Sequence, residues 1–197
     1  MPHFVTTPTA PATAATGVDR RMVLTRTWLL GTATVTTGLM AGFFYTYSCS
    51  VMLGLDLVGD RAFIDTMQSI NATVRNPWFG ISFFGALLLT AASVLVLLHR
   101  SVRSVFPWAV AGFVLYLIAF GITMGISVPL NEELAAAGDP DAVTDPAAVR
   151  AAYEGDWNTW NLNRTLAAIA AFACMIRALI VHSRASATPD AHRDAAV

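Results

Sequence analysis

The sequence predicts an all-α integral membrane protein: a four-helix bundle with a short interfacial helix in its first outer loop. Three observations lead there. Hydrophobic residues make up 55% of the 197 positions and charged residues only 13%, about half the charged share of a soluble domain. The apolar residues gather in the stretches 28–53, 77–98, 105–130 and 157–181, each near the roughly 20 residues that cross about 30 Å of hydrocarbon. All 12 basic residues are arginines, and many fall on alternate connections. Lipid leaves backbone N–H and C=O groups without partners, so each span should be a helix.

The same composition excludes several classes. A net charge of -1 offers no basic field for nucleic acid. Two cysteines, Cys49 and Cys174, make neither a disulfide scaffold nor a CxxC redox pair. Counted at 1.5 Å per residue, Cys174 lies roughly 25 Å below Trp157 along its helix, while Cys49 is near the outer end of span one. That depth difference is too large for a disulfide. No phosphate loop, dinucleotide fingerprint or nucleophile elbow is present.

Residues 1–20 are rich in Thr, Ala and Pro and lack the regions of a secretory signal. They are expected to form a disordered cytoplasmic tail ahead of a membrane domain over 21–182, with a second cytoplasmic tail over 183–197. Arg20, Arg21 and Arg26 precede span one. His99, Arg100 and Arg103 separate spans two and three. Arg177, Arg184 and Arg193 follow at the end. By the positive-inside rule these regions are cytoplasmic, giving a multi-pass cell-membrane protein with both termini inside. The opposite loops are acidic, with Asp56, Asp60 and Asp65 in the first. Glu132, Glu133, Asp139, Asp141, Asp145, Glu154 and Asp156 fall in the second.

In the first outer loop, Phe63, Met67, Ile70 and Val74 recur at helical spacing, which predicts an amphipathic helix at the outer interface. Asn76-Pro77 reads as an N-cap and first-turn proline. Asp145-Pro146 has the same form and predicts a short helix from 146 to about 154 before span four. Gly38 and Gly42, and Gly121 and Gly125, give small faces for close helix packing. Pro129 removes a donor near the outer end of span three, so that span either bends there or simply ends.

Depth then sorts the polar residues. Tyr45, Tyr47, Ser48 and Ser50 close span one; Gln68, Asn71 and Asn76 follow. Ser127, Asn131 and Glu132 close span three; Trp157, Trp160, Asn161 and Arg164 open span four. All converge on one leaflet. Trp157, Asn161, Arg164 and Ala168 share one helix face. A charge within a span faces protein, water or ligand, or snorkels to the surface. Asn161 beside Arg164 favours an inward face, because a short amide cannot snorkel far and wants a partner. His3, His99, His182 and His192 map to the opposite side, which argues against a histidine-rich metal site in the outer cluster; no metal is expected there.

The ordered set of Gly38 to Ser50 (GLMAGFFYTYSCS), Met67 to Asn71 (MQSIN), Asn76-Pro77, Val128 to Asn131 (VPLN), Trp160-Asn161 and Arg164-Thr165 resembles the anthrone-oxygenase-like family of small four-helix membrane proteins. Some relatives carry Asn where Ser127 stands. The resemblance covers most of 28–181 and implies an oxidoreductase of aromatic polyketide chemistry. It would oxidise a flat, anthrone-like aromatic with O₂ and without a classical cofactor. Such chemistry needs a base, donors for an anionic oxygen, and an aromatic pocket. Arg164, Asn161 and Asn131 are the candidate donors, and Glu132 or Asp65 the candidate base. Trp157, Trp160, Tyr45 and Tyr47 are candidate walls, with Gln68 and Asn71 as further substrate contacts. The alternative is a non-catalytic binding, transport or accessory protein using the same cavity. The expected partners are the lipid bilayer, a hydrophobic aromatic molecule and O₂, with no nucleic acid.

Overall fold

The computed structural model describes residues 13–98 and 103–194, with side chains over 20–98 and 103–186. Every regular element among them is helical. Helix α1 runs Thr13–Thr46, passes through a wider π-helical turn at Tyr47–Val51, and resumes as α2 (Met52–Leu55). A cap helix α3 (Asp60–Thr73) follows, then α4 (Pro77–Val96) and α5 (Phe106–Ile122). A second π-helical turn at Thr123–Ser127 joins α5 to α6 (Val128–Ala136), and α7 runs Pro146–Asp194. Four helical segments are long and apolar enough to cross a membrane: Arg20–Leu55, Pro77–Val96, Phe106–Ala136 and Pro146–Ser186. The protein is a multi-pass membrane protein built as a four-helix bundle.

The bundle is held by three apolar clusters stacked along its length. The middle one joins Met40, Phe44, Phe83, Tyr116 and Ala168. Tyr116 is fully buried and donates its hydroxyl to the Phe83 carbonyl, 2.9 Å away, so α5 is tied to α4 without leaving a phenol unpaired in an apolar core. One end cluster contains Leu30, Leu97, Val105 and Met175. The other brings Tyr47, Met52, Phe63, Met67, Leu134, Tyr153 and Trp157 together beneath α3. The outward faces are apolar too: Trp78 is 83% exposed, and Ile81 and Leu88 are 68% and 67% exposed. So much exposed apolar surface on helices of this length fits contact with lipid chains.

Capping and packing explain the element boundaries. The Asn76 side chain accepts from the Phe79 N–H at 3.1 Å, and Asp145 from the Ala148 N–H at 3.0 Å, as the two Asx-Pro pairs predict. The interval 146–154 differs from expectation. It is the first part of α7 rather than a separate helix, because Arg150 and Glu154 pair at i,i+4 (2.7 Å) and no proline interrupts the turn into span four. Helix α1 begins at Thr13 and α7 continues to Asp194, so regular backbone extends into both expected tails. Residues 1–12, with His3, and 195–197 lie outside the described residues. So do His99 and Arg100; the side chains of His192 and Arg193 are likewise undescribed.

The apolar face of α3 is turned onto the bundle rather than onto lipid. Phe63, Ile64 and Met67 are fully buried, and the sequence periodicity omits Ile64. The glycine pairs are only partly used. A side chain at Gly38 would come within 2.9 Å of the Phe172 ring, whereas Gly42, Gly121 and Gly125 face open space. A small-residue spacing marks a face but cannot say whether a neighbour occupies it. Gly112, which belongs to neither pair, is the other close approach, lying against Met175.

Candidate functional site

At the α3 end of the bundle, a narrow cleft of about 90 Å³ is lined by residues from five helices, α1, α3, α4, α6 and α7, and from both π-helical turns. Arg164 and Trp157 come from α7; Phe43 and Phe44 from α1; Asn71 from α3; Phe79 from α4. Tyr47 sits in the first π-helical turn, and Thr123 and Ser127 in the second. The turns are defined by backbone bonds from Met52 N–H to Tyr47 C=O and from Val128 N–H to Thr123 C=O. Such five-residue turns carry one extra residue and recur at functional sites. The second turn lies just before Pro129, which has no N–H to offer Gly125 in an α-helical register. Of the two readings of Pro129, the structure adopts neither in full: span three continues through α6 after changing its helical pitch.

Arg164 is 5% exposed. Its Nη2 donates to Asn161 Oδ1 at 2.7 Å, and its guanidinium carbon lies 4.3 Å from the Phe44 ring centroid and 5.7 Å from that of Trp157. Asn161 is oriented from behind: its Nδ2 donates to Ser48 Oγ at 2.9 Å and to the Phe44 carbonyl at 3.3 Å. The amide oxygen is thereby committed to the arginine. Among the described residues Arg164 has no carboxylate partner, and its buried Nε has no hydrogen-bond acceptor. A desolvated cation held by an amide and two aromatic rings, with one donor unused, has the chemistry to receive an anionic or strongly polarised oxygen.

Asn131 uses its amide oxygen within the protein. Its Oδ1 accepts from the Tyr153 hydroxyl at 2.8 Å and from Trp157 Nε1 at 3.0 Å. Asn71 Nδ2 reaches the same Tyr153 hydroxyl at 3.4 Å. The side chain therefore fixes the indole that forms one wall of the cleft.

The other sequence candidates divide clearly. Tyr47, Asn71, Asn131, Trp157 and Arg164 line the cleft and Asn161 supports it. Tyr45 and Trp160 are 53% and 37% exposed and lie outside the lining. At about 100° per residue, Tyr45 and Tyr47 lie about 200° apart and cannot both face inward, whereas Trp160 is only about 60° round the helix from Trp157 and sits at the edge of the same side. Gln68 donates to the Leu134 and Gly138 carbonyls, fastening α3 to the end of α6. Asp65 is exposed and outside the lining. Glu132 is 63% exposed and pairs with Arg75 at 3.6 Å; Arg75 in turn reaches the lining. No carboxylate lines the cleft itself.

Sequence reasoning missed Tyr153, Arg150 and the phenylalanines. Arg150 bonds Glu154 and Asp60, reaches Asp56 at 3.4 Å, and donates to the Val58 carbonyl. Its guanidinium lies 4.4 Å from the Phe63 ring centroid. Arg61 donates to the Pro140 and Val143 carbonyls. The signal was available in the sequence: four arginines fall among or beside the acidic outer loops, where loop charge alone has no use for them. Among the described residues no group of three or more His, Cys, Asp or Glu is arranged to hold a metal ion.

Beside the cleft, a groove of about 310 Å³ runs between α1 and the start of α4 and shares Phe43, Val74 and Phe79 with it. Its remaining walls include Leu39, Met40, Trp78 and Ser82, of which Leu39 and Trp78 are on the lipid-facing surface.

Residues 77–174 match the family model described as anthrone oxygenase. No curated protein and no solved structure matches the chain. The matched stretch begins at the α4 cap and ends in α7, so it contains the second π-helical turn, Asn131, Trp157, Asn161 and Arg164. That match is consistent with an anthrone-oxygenase-like family.

Proposed function

We propose that the protein is a membrane oxygenase that oxidises a flat, anthrone-like aromatic with O₂ in the Arg164 cleft. The observation that carries this reading is the buried guanidinium with an unused Nε, set among aromatic rings. An anthrone has an acidic C–H₂ between two rings. Loss of one proton gives an electron-rich anion whose charge is shared with the carbonyl oxygen. Arg164 would hold that oxygen, and Asn161 would keep the guanidinium in place. The anion's carbon forms a C–O bond to O₂, giving a hydroperoxide once a proton returns to the distal oxygen. Loss of the second C–H proton then breaks the O–O bond, and the distal oxygen leaves as water. Anthrone and one O₂ become anthraquinone and one water, with no further reductant. Glu132, linked to the cleft wall through Arg75, is the side chain proposed as proton acceptor; Asp65 has no such link.

A cleft of about 90 Å³ is smaller than the roughly 300–1,000 Å³ of small-molecule sites. A three-ring substrate would need the shared Phe43–Phe79 wall to swing aside, opening the cleft into the lipid-facing groove. That supports access from the bilayer rather than from water. The alternative is a protein that binds such a ring system without turning it over. Oxygen uptake by purified protein given an anthrone, with anthraquinone formed one-for-one and no stoichiometric transition metal in the active preparation, is the expected result. Ligand binding with no oxygen consumption beyond the uncatalysed rate would assign the binding role instead.

A further inference from the structure

The opposite end of the bundle holds a second buried cation that the oxygenase reading does not use. Arg26 on α1 is only 8% exposed, its Nε is buried without a hydrogen-bond partner, and no ion pair reaches it among the described residues. It lines a groove of about 450 Å³ between the start of α1 and the end of α4, together with Arg21, Thr25, Met22, Leu95, Val96 and Leu98. No acidic residue is part of that lining. Arg21 is exposed at the rim. Leu95 and Leu98 are each more than 60% exposed, and Met22 is 46% exposed, so the groove's apolar walls open onto the lipid-facing surface.

Snorkelling does not account for Arg26. A snorkelling arginine carries its head group into water, whereas Arg26 is only 8% exposed and its Nε is enclosed. A covered guanidinium with an unused donor is costly unless an anion meets it. The anion must be compatible with walls of leucine, valine and methionine and with one further arginine at the mouth. A phosphate oxyanion attached to apolar chains fits both requirements: the phosphate between Arg21 and Arg26, the chains along Leu95 and Leu98. Basic pockets between spans bind lipid head groups in this way. We infer that the Arg21–Arg26 groove is a binding site for an anionic phospholipid, independent of the Arg164 cleft.

The test uses the full chain purified in a neutral detergent, with the thermal unfolding midpoint followed as ligand is added. Dioctanoyl phosphatidylglycerol supplies phosphate and chains, glycerol phosphate the phosphate alone, and dioctanoylglycerol the chains alone. The expected result is a saturable rise in midpoint with phosphatidylglycerol and none with dioctanoylglycerol. Arg21→Gln and Arg26→Gln should each weaken the apparent affinity about fivefold, the change expected for one surface-proximal arginine. Arg164→Lys should leave that affinity unchanged, which separates this site from the oxygenase reading. An equal response to glycerol phosphate, still dependent on Arg21, would uphold the phosphate site and assign its ligand to solution. A response to dioctanoylglycerol equal to that of the phospholipid would overturn the inference, as would wild-type affinity in both arginine variants. If Arg26→Gln does not fold, Arg21→Gln alone decides, because its side chain is exposed and outside the core.

Discussion

Arg164 and Arg177 sit on the same helix, and their surroundings differ in kind. Arg177 is exposed and lies over the Trp108 ring at 5.6 Å. Arg164 is enclosed, bonded to Asn161 and packed on Phe44. Lysine reproduces a long stem and a charge but not a planar fork of donors. Arg177→Lys should therefore keep both stability in detergent and function. Arg164→Lys should lose about 1.5–3 kcal/mol of stability, the scale of a hydrogen bond to a charged group, together with any oxygen uptake. Equal tolerance at the two positions would leave Arg164 as a membrane anchor. The inward face of this arginine was legible from the alternating four- and three-residue spacing of Trp157, Asn161, Arg164 and Ala168. The partners of the Asn131 oxygen were not. A residue type announces what a side chain can donate or accept, and only the packing of α6 against α7 determines that Tyr153 and Trp157 take both lone pairs of its oxygen.

The two π-helical turns carry the element-scale lesson. N-caps and proline positions follow from local backbone chemistry, so Asn76 and Asp145 could be read directly. A π-helical turn depends on whether one extra residue can be accommodated by neighbouring helices, and nothing in TMGIS or YSCSV announces it. Deleting Ser127 should restore a continuous α-helix and rotate α6 by about 100° relative to α5. Asn131 would then leave Tyr153 and Trp157. The expected outcome is loss of function with α5 intact, visible as hydrogen-exchange protection kept over Phe106–Ile122 and reduced over Val128–Ala136, which keeps its helical bonds but loses its packing on α7. The long reach of α7 beyond the apolar span makes a separate prediction. Arg150 on that extension holds the α2–α3 connection through Asp56, Asp60 and the Val58 carbonyl. Arg150→Gln should raise hydrogen exchange over residues 55–61 and cost about 1–3 kcal/mol, while spans two and three exchange as before.

For the whole molecule, the count and order of spans came from hydropathy, which depends on composition more than on detailed packing. The close helix contacts at Gly38 and Gly112 could not be separated in advance from glycines that face open space, because approach is a property of two helices at once. Orientation is a further proposal. The N-terminal part of α1 and the late turns of α7 meet where His182 contacts the Val23 carbonyl at 3.4 Å, so these segments share one end. Arginine near that end argues for the cytoplasm. Arg61 and Arg150 at the other end are engaged by carbonyls and carboxylates, which reduces their weight as free topogenic charges. A cysteine placed at position 140, with Cys49 and Cys174 replaced, should be labelled by an impermeant maleimide from outside the cell. Labelling only after the cell is opened would reverse the orientation.

The indole of Trp157 has an optical consequence. The chain has five tryptophans. Trp157 is 4% exposed, whereas Trp28, Trp78, Trp108 and Trp160 range from 37% to 83%. Brominated acyl chains in a reconstituted bilayer would quench the fluorophores they can touch and spare the enclosed one. The emission that survives would come chiefly from a ring hydrogen-bonded to Asn131 and 5.7 Å from the Arg164 guanidinium carbon. A molecule lodging beside that guanidinium would register as a change in this residual light, with no label attached to the protein.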